Sequence, residues 1–223
     1  MKYATITVLV LILLHCTSVV PEKGANAGHY LQNRQPLLPK PYIELPLGNI
    51  KPSGWLDEQL RRMAGGLTGN LDSIYPEVVG PRNGWLGGDG DGWERGPYWI
   101  DGLLPLAYIL NDERLKKKAL QWVEWTLTHQ REDGYLGPVP FDDQPEPEPG
   151  LQRGMREDWW PKMVMLKVLQ QYYSATGDAR VIDCLTKYFH YQLQELPERP
   201  LDFLTLWANR RGGDNLMVVY WLY

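Results

Sequence analysis

The chain has 223 residues, a formal net charge of −4 and an isoelectric point of about 5.6. Because it also carries no basic stripe, its charge argues against nucleic acid as a partner. The aromatic residues are unevenly divided, with 10 Trp and 13 Tyr but only 3 Phe. Trp and Tyr combine a flat apolar ring with a polar group, which suits sugar binding as well as the packing of a large helical core.

The N-terminal segment has the features of an export signal. The apolar run Ile6–Leu14 is too short to cross a bilayer, and Ala25–Ala27 offers a small-residue cleavage site. We therefore expect residues 1–27 to be a signal peptide, the mature chain to have no transmembrane segment, and the protein to be secreted or periplasmic. Cys16 leaves lipoprotein processing open as an alternative.

The next segment predicts an extended lead-in to a helical domain. Residues 28–53 are rich in proline and lack helical periodicity, so we expect irregular structure with a short edge strand near Tyr42–Leu45. Ser53 then has the position of an N-cap for a helix over about Gly54–Ala64. The helical domain is expected to span residues 54–223.

Two later segments form an internal repeat. When Asp112 is aligned with Asp178, the apolar residues that follow each of them share the spacing i, i+4, i+7 and i+8, which is typical of an amphipathic helix with one buried face. Each segment is preceded by a more uniformly apolar stretch, Pro97–Leu110 and Trp159–Tyr173, of the kind that protein surrounds. The repeat predicts stacked hairpins, each made of an inner and an outer helix.

A third unit begins at the end of the sequence. Another apolar helix is predicted to start near Asp214, and Tyr223 comes before the turn that should follow it. Since one repeat unit cannot bury its inner face alone, more units are expected. The sequence therefore predicts an all-α ring of helical hairpins, of which this chain is an incomplete part that we expect to be inactive by itself.

The chemistry-bearing residues collect before the inner helices. In a ring of hairpins these helices run in the same direction, so their N-terminal ends meet on one face. Each preceding segment combines arginine with acidic residues, and two of the three add tryptophan and proline. Helix capping explains single acidic residues at these places, but not the recurring arginine and indole. We infer a carbohydrate site, with these candidate substrate-binding residues: Asp89, Asp91, Trp93, Glu94, Arg95, Tyr98, Trp99, Asp133, Tyr135, Arg156, Glu157, Trp159 and Asp214.

Carboxylates are the remaining candidates for catalysis, because the sequence contains no G-x-S-x-G motif, no Gly-rich phosphate loop and no Cys–His pair. Glycoside hydrolysis commonly uses two carboxyl groups that lie roughly 5–10 Å apart. Asp101, about one turn into an inner helix, and Asp158, at the start of the next, form the candidate catalytic pair.

No metal site is expected in this chain. The acidic loop Asp89–Glu94 has Trp and Glu where an EF-hand requires Asp or Asn and Gly. After signal removal Cys184 is the remaining cysteine, and one thiol cannot form an intrachain disulfide or a cysteine metal site. We expect Cys184 to be a buried structural thiol.

Five segments, in this order and spacing, resemble the bacterial β-L-arabinofuranosidase family, glycoside hydrolase family 127 and its uncharacterised relatives: "PSGWLDEQLRRMAGGLTGNLD", "WERGPYWIDGLLPLAYILND", "QREDGYLGP", "YYSATGD" and "RRGGDNLMVVYWLY". The resemblance covers nearly all of residues 43–223. It implies the N-terminal part of an (α/α)6 barrel and an exported glycoside hydrolase that acts on a plant or microbial glycan, with β-L-arabinofuranosyl residues as candidate substrates.

The resemblance does not supply catalytic residues. Characterised members use a cysteine thiolate, a glutamate and a cysteine-bound zinc, all in positions beyond the end of this chain, so zinc is implied for a full-length member and no cofactor for the chain itself. Those members tend to have histidine and glutamate where this sequence reads "REDWWPKMV", which indicates a divergent branch. Two alternatives stay open: a non-catalytic glycan-binding or scaffold protein, and a polysaccharide lyase that uses Arg95, Arg156 and Arg211 as cations.

Overall fold

The computed structural model describes residues 31–141 and 148–223. In these two ranges all regular structure is helical, as the sequence predicts, and the helices are α1 (Trp55–Gly65), α2 (Leu67–Ile74), α3 (Pro76–Val79), α4 (Arg95–Leu110), α5 (Glu113–Thr128), α6 (Trp159–Thr176), α7 (Arg180–Glu195), α8 (Leu206–Arg210) and α9 (Gly212–Leu222). Single 3-10 turns occur at Gly84–Leu86 and Arg153–Met155. The predicted signal peptide and Cys16 lie outside the described residues.

The lead-in differs from its prediction in two respects. Residues 31–53 contain turns and irregular backbone, and the expected strand near Tyr42–Leu45 is not formed. The N-cap of α1 is Gly54 rather than Ser53, and no side chain bonds the first turn. Gly54 has φ 58, a left-handed conformation that glycine adopts easily, so the backbone itself turns into the helix here.

The predicted hairpins α4–α5 and α6–α7 are present. A residue with positive φ ends each inner helix, Asn111 (φ 54) after α4 and Gly177 (φ 70) after α6, which lets the chain reverse at once. Asp112 then caps α5, because its side chain accepts a hydrogen bond from the Leu115 N–H at 3.1 Å. The aligned apolar faces of α5 and α7 are buried against the inner helices, apart from a partly buried Phe189.

Cys184 lies on the buried face of α7, which confirms the prediction of a buried thiol. Its exposed fraction is 4%, and burial raises the pKa of its thiol to about 12. The folded protein therefore holds this residue as a neutral, unreactive side chain at neutral pH.

Contacts between α4 and α6 show that these two inner helices are parallel. Near the two helix starts the rings of Tyr98 and Trp160 lie 5.7 Å apart, and near the two helix ends the rings of Tyr108 and Tyr172 lie 6.5 Å apart. The start of α4 contacts the start of α6, and the end of α4 contacts the end of α6, so both helix N-termini lie on one face of the molecule.

Helix α9 continues the same layer. The guanidinium of Arg211, just before α9, lies 5.2 Å from the centre of the Trp160 ring at the start of α6. At the other end, Tyr173 and Trp221 are in edge-to-face contact at 5.4 Å. The three inner helices α4, α6 and α9 are thus parallel, and their N-terminal ends are gathered together as the repeat predicts.

The lead-in crosses the opposite end of this layer. The N–H of Leu47 donates to the Ser174 hydroxyl at 3.0 Å, and the Lys51 ammonium donates to the carbonyls of Tyr108 and Ile109 at 3.2 and 3.0 Å. A lysine at this place supplies a hydrogen-bond donor to the carbonyls at the end of α4. None of the described helices is long and apolar enough to span a bilayer.

Candidate functional site

The N-terminal ends of α4, α6 and α9 and the loops before them, residues 84–94, 150–158 and 205–211, form a continuous surface that we call the rim. The sequence places most of the candidate residues on these segments. Their burial and their hydrogen bonds divide them into residues that build the rim and residues that a ligand can reach.

Asp91 builds the first rim loop. Its side chain is fully buried and accepts hydrogen bonds from the backbone N–H groups of Trp93 at 3.2 Å and Gln152 at 3.0 Å. Arg95 forms a short ion pair with the same carboxylate. Asp91 therefore connects the loop before α4 to the loop before α6 through hydrogen bonds, and Arg95 neutralises the charge of the Asp91 carboxylate.

Asp158 joins all three rim loops. Its Oδ1 accepts from the Trp160 N–H at 3.1 Å and caps α6. Its Oδ2 accepts from the indole N–H of Trp93 at 2.8 Å and from the Thr205 hydroxyl at 2.8 Å. The side chain is 1% exposed, so a substrate cannot contact it, and its position does not support the predicted pairing with Asp101 as a catalytic acid and base.

Arg156 is a buried cation that holds loop backbone. Its guanidinium donates to the carbonyls of Gly88 at 3.0 Å, Gly90 at 3.2 Å and Val139 at 3.3 Å, and it stacks 3.9 Å from the centre of the Phe141 ring. Burial lowers the pKa of Arg156 from its usual value. This arginine connects the glycine-rich loop to the segment after α5 rather than facing solvent.

Beneath the rim lies a lysine that the sequence does not single out. Lys162 is fully buried, and its ammonium donates to the carbonyls of Arg156 and Asp158, both at 3.0 Å. It also lies 4.9 Å from the centre of the Tyr135 ring. Burial lowers its pKa to about 7, although the nearby charges of Asp158 and Glu157 act in the opposite direction.

Three more of the candidate rings are buried and bind backbone. Each donates its polar hydrogen to a carbonyl: Tyr135 to Pro138 at 2.7 Å, Trp159 to Arg199 at 2.9 Å, and Trp99 to Thr68 at 3.0 Å. Seven of the candidate residues are buried, and the structure indicates that they support the surrounding backbone instead of contacting sugar as the sequence suggests. They are Asp91, Trp93, Trp99, Tyr135, Arg156, Asp158 and Trp159.

Three acidic candidates lie in surface ion pairs. Asp89 accepts two hydrogen bonds from Arg82, at 2.9 and 3.0 Å, and this contact lowers the Asp89 pKa. Asp133 pairs with Arg131, and Glu157 lies 3.6 Å from Arg199. Exposed pairs of this kind contribute little to stability, and each leaves its carboxylate accessible, so sugar contact stays a prediction for all three.

The accessible centre of the rim is formed by Glu94, Tyr98 and Arg211, which surround the buried ring of Trp160 (2% exposed). We call these four residues the Tyr98 cluster. Tyr98 is 43% exposed, and its ring leans on Trp160 at 58°. The Trp160 indole N–H donates to Glu94 Oε2 at 2.6 Å, and Arg211 covers the Trp160 ring. An open aromatic ring, a carboxylate and a guanidinium are thus held side by side, which provides a flat apolar face with hydrogen-bond donors and acceptors around it.

Asp101 and Asp214 lie close enough to the Tyr98 cluster for their charges to act on the pKa of Tyr98. Burial raises the pKa of Tyr98, and the charges of Arg211, Glu94, Asp214 and Asp101 also act on it. The Asp101 carboxylate is itself held by the Lys167 ammonium and by the Gln171 amide, each at 3.0 Å. Of the two predicted catalytic carboxylates, Asp101 is the one that keeps some exposure, with 18% of its side chain accessible.

Sequence reasoning missed Trp160 and named its neighbour Trp159. Both indoles begin α6, and adjacent helical residues point in directions about 100° apart. Trp159 turns toward Tyr188 of the outer helix, whereas Trp160 turns toward Tyr98 of the inner layer. The spacing of the buried residues along α6 was the available signal, but α6 is apolar on nearly all sides, so that signal was weak.

A family model described as the "Beta-L-arabinofuranosidase, GH127 catalytic domain" matches residues 54–223. No curated protein and no solved structure matches the chain.

Proposed function

The chain belongs to the GH127 β-L-arabinofuranosidase family, whose catalytic domain it matches, and from this membership we propose that it forms part of an exported glycoside hydrolase that removes β-L-arabinofuranosyl residues from plant or microbial glycans. The family match over residues 54–223 carries the proposal. The parallel inner helices agree with part of the (α/α)6 barrel that the resemblance implies.

The Tyr98 cluster supports the choice of a carbohydrate substrate. Sugars have apolar C–H faces and many hydroxyl groups, so they bind where an open aromatic ring lies beside charged hydrogen-bonding groups. Tyr98 supplies the open ring, while Glu94 and Arg211 supply the acceptor and the donors. We place a sugar ring on Tyr98, with its hydroxyls toward Glu94 and Arg211.

The family resemblance places its zinc ligands beyond the end of this chain, and the described residues show no second set of ligands. Among residues 31–141 and 148–223, no group of three or more His, Cys, Asp or Glu side chains could hold a metal ion. Cys184 is buried on α7. Within this part of the chain, Asp101 is the carboxylate to which we assign acid–base chemistry.

A glycan-binding protein without catalysis is the second candidate. It is favoured by one observation, the enclosure of Asp158, which leaves Asp101 without its predicted carboxylate partner on the rim. Such a protein would keep the Tyr98 cluster and bind the same sugars.

The two candidates separate in a paired assay on the purified full-length protein that contains this chain. Hydrolysis is measured with p-nitrophenyl β-L-arabinofuranoside, with the α-anomer as control, and affinity for arabino-oligosaccharides is measured by calorimetry. Release of nitrophenol from the β-anomer supports the hydrolase, whereas binding without release supports the second candidate. If neither substrate nor oligosaccharide binds, both are rejected. Export is tested by N-terminal sequencing of the secreted protein, for which we expect a start at Gly28.

A further inference from the structure

The short helix α8, which precedes the start of α9, carries a second accessible aromatic ring on the rim. Trp207 is 53% exposed, more than the 43% of Tyr98. Its neighbour Ala208 is fully buried, so α8 packs on the protein through the Ala208 side, and Trp207 lies about 100° around the helix from that side. Neither the site expected from the sequence nor the Tyr98 cluster includes this indole.

Hydrogen bonds fix the backbone of Trp207 to the rim. Its N–H donates to the Thr205 hydroxyl at 3.3 Å, and this hydroxyl donates to Oδ2 of Asp158 at 2.8 Å. The same carboxylate oxygen accepts the indole N–H of Trp93. The residues that hold the starts of α4 and α6 therefore also set the position of Trp207, while its ring stays open to solvent.

Trp207 is the helical neighbour of one member of the Tyr98 cluster. The N–H of Arg211 donates to the Trp207 carbonyl at 2.9 Å, which is the bond of one helical turn, and Cβ atoms four residues apart in a helix are separated by about 5–6 Å. The Arg211 guanidinium lies 5.2 Å from the centre of the Trp160 ring, and that ring contacts Tyr98. The two open rings thus lie near each other, with Arg211 next to both.

The pair of rings and their shared cation suit more than one sugar unit. An indole offers a flat apolar face for the C–H groups of a sugar, as the Tyr98 ring does. Arg211 is exposed, and a guanidinium carries several N–H donors and no acceptor, so it can donate to hydroxyl groups of two adjacent sugars. A single sugar on Tyr98 would leave the Trp207 face unused.

We propose that Trp207 forms a second sugar-binding position beside the Tyr98 cluster, and that it takes the neighbouring unit of an oligosaccharide whose first unit lies on Tyr98. Arg211 donates to both units. This inference rests on the proposed function, because it requires a glycan on the rim, and it adds that the preferred substrate has at least two sugar units.

Binding to the full-length protein that contains this chain tests the second position. The probes are methyl β-L-arabinofuranoside and a trisaccharide of L-arabinofuranose, both followed by ligand-observed NMR. If the trisaccharide is cleaved, KM replaces the dissociation constant. The wild type should bind the trisaccharide about tenfold more tightly than the single sugar, and Trp207→Ala should lose this advantage. Trp207→Phe keeps a flat ring and should retain most of it, whereas Trp207→Leu keeps only apolar bulk and should not.

Two control variants separate the possible failures. Trp55→Ala removes a 78% exposed indole on α1, four residues after Lys51, which bonds the opposite end of α4, and it should change neither affinity. Tyr98→Ala should weaken binding of both probes. If Tyr98→Ala weakens binding and Trp207→Ala does not, the inference is wrong and the proposed function stands. If the wild type binds neither probe, both are rejected.

Urea unfolding distinguishes sugar contact from a structural role of the indole. Because more than half of Trp207 is exposed, we expect Trp207→Ala to unfold at nearly the same urea concentration as the wild type. A ring that another protein segment covers would behave differently, since its removal would lower stability and leave the trisaccharide affinity of the folded protein unchanged. That result would also overturn the inference.

Discussion

The indole N–H of Trp93 donates a hydrogen bond of 2.8 Å to Oδ2 of Asp158, and this bond ties the loop before α4 to the start of α6. The Thr205 hydroxyl donates to the same oxygen at 2.8 Å and adds the segment before α9. One buried carboxylate thus positions the starts of three inner helices. Acid and tryptophan recur before the inner helices at least partly because they build the rim.

Replacing Asp158 should destabilise the fold. Asp158→Ala removes the cap of α6 and leaves the buried Trp93 N–H without an acceptor, so we expect the free energy of unfolding to fall by about 3 kcal/mol. Asp158→Asn keeps one acceptor oxygen and should lose less. Urea unfolding followed by circular dichroism measures both, with exposed Asp202→Ala as the control. A loss below about 1 kcal/mol for Asp158→Ala would contradict the structural role.

Replacing Tyr98 should weaken glycan binding and leave stability almost unchanged. Its ring is 43% exposed and forms the open face of the Tyr98 cluster, so Tyr98→Ala removes a stacking surface of about 1–3 kcal/mol, by analogy with other aromatic platforms. Calorimetry with arabino-oligosaccharides measures the change in affinity. Tyr42→Ala, at an 87% exposed position in the lead-in, is the matched control. Equal affinities of Tyr98→Ala and wild type would place the sugar elsewhere.

Replacing Trp99 should lower stability and leave glycan binding almost unchanged. This ring is 8% exposed and lies 5.9 Å from Trp122 of the outer helix, so Trp99→Ala should cost about 3–5 kcal/mol of stability. The fraction of the Trp99→Ala protein that remains folded should bind glycan with an affinity near that of the wild type. Trp55→Ala, at a 78% exposed position, should change neither quantity. The hypothesis fails if Trp99→Ala is stable and loses only glycan affinity.

Lys162 should make the stability of the protein depend on pH. Its pKa is about 7 in the folded chain, against a usual value of 10.5. Between these values the unfolded chain binds a proton at this site that the folded chain does not, so the free energy of unfolding rises with pH, by at most about 1.4 kcal/mol per unit. Lys162→Met should flatten this slope, whereas exposed Lys117→Met should not.

The useful window for this measurement is about pH 7 to about pH 9. Above it the Cys184 thiol acts in the other direction, because its pKa is raised to about 12 from a usual value of 9.0 and the folded chain then binds the extra proton. Urea unfolding of both lysine variants across the window is the test. A slope in Lys162→Met as steep as in the wild type would show that Lys162 is charged in the folded protein.

The helical hairpins could be predicted from the sequence because their signals are local. The inner helix α4 was expected over Pro97–Leu110 and spans Arg95–Leu110, and α6 was expected over Trp159–Tyr173 and spans Trp159–Thr176. Helix-breaking residues and capping residues mark such ends within a few positions. The short helices α2, α3 and α8 were missed, since segments of 8, 4 and 5 residues carry too little periodicity to be recognised.

The candidate site was predictable as a region and not as a set of contacts. The residues before the inner helices do come together, because parallel helices of one layer begin on one face. Whether a residue there faces solvent was decided by its partners: Trp93 is covered by the segments around Asp158, and Tyr98 is left open. The sequence did not reveal Trp160 or Lys162 as parts of the rim or its support, whereas Arg211 was already a candidate cation of the site.

By itself, the sequence determined the all-α class, the pairing of inner with outer helices and the gathering of acidic, arginine and aromatic residues at one end, because periodicity and capping act over a few residues. The tertiary structure alone decided which of those side chains became buried supports of the rim and which stayed accessible, and it placed the lead-in against the ends of α4 and α6. These outcomes depend on contacts between segments far apart in the chain, such as Leu47 with Ser174, and spacing along the sequence does not encode the direction from which such a neighbour approaches.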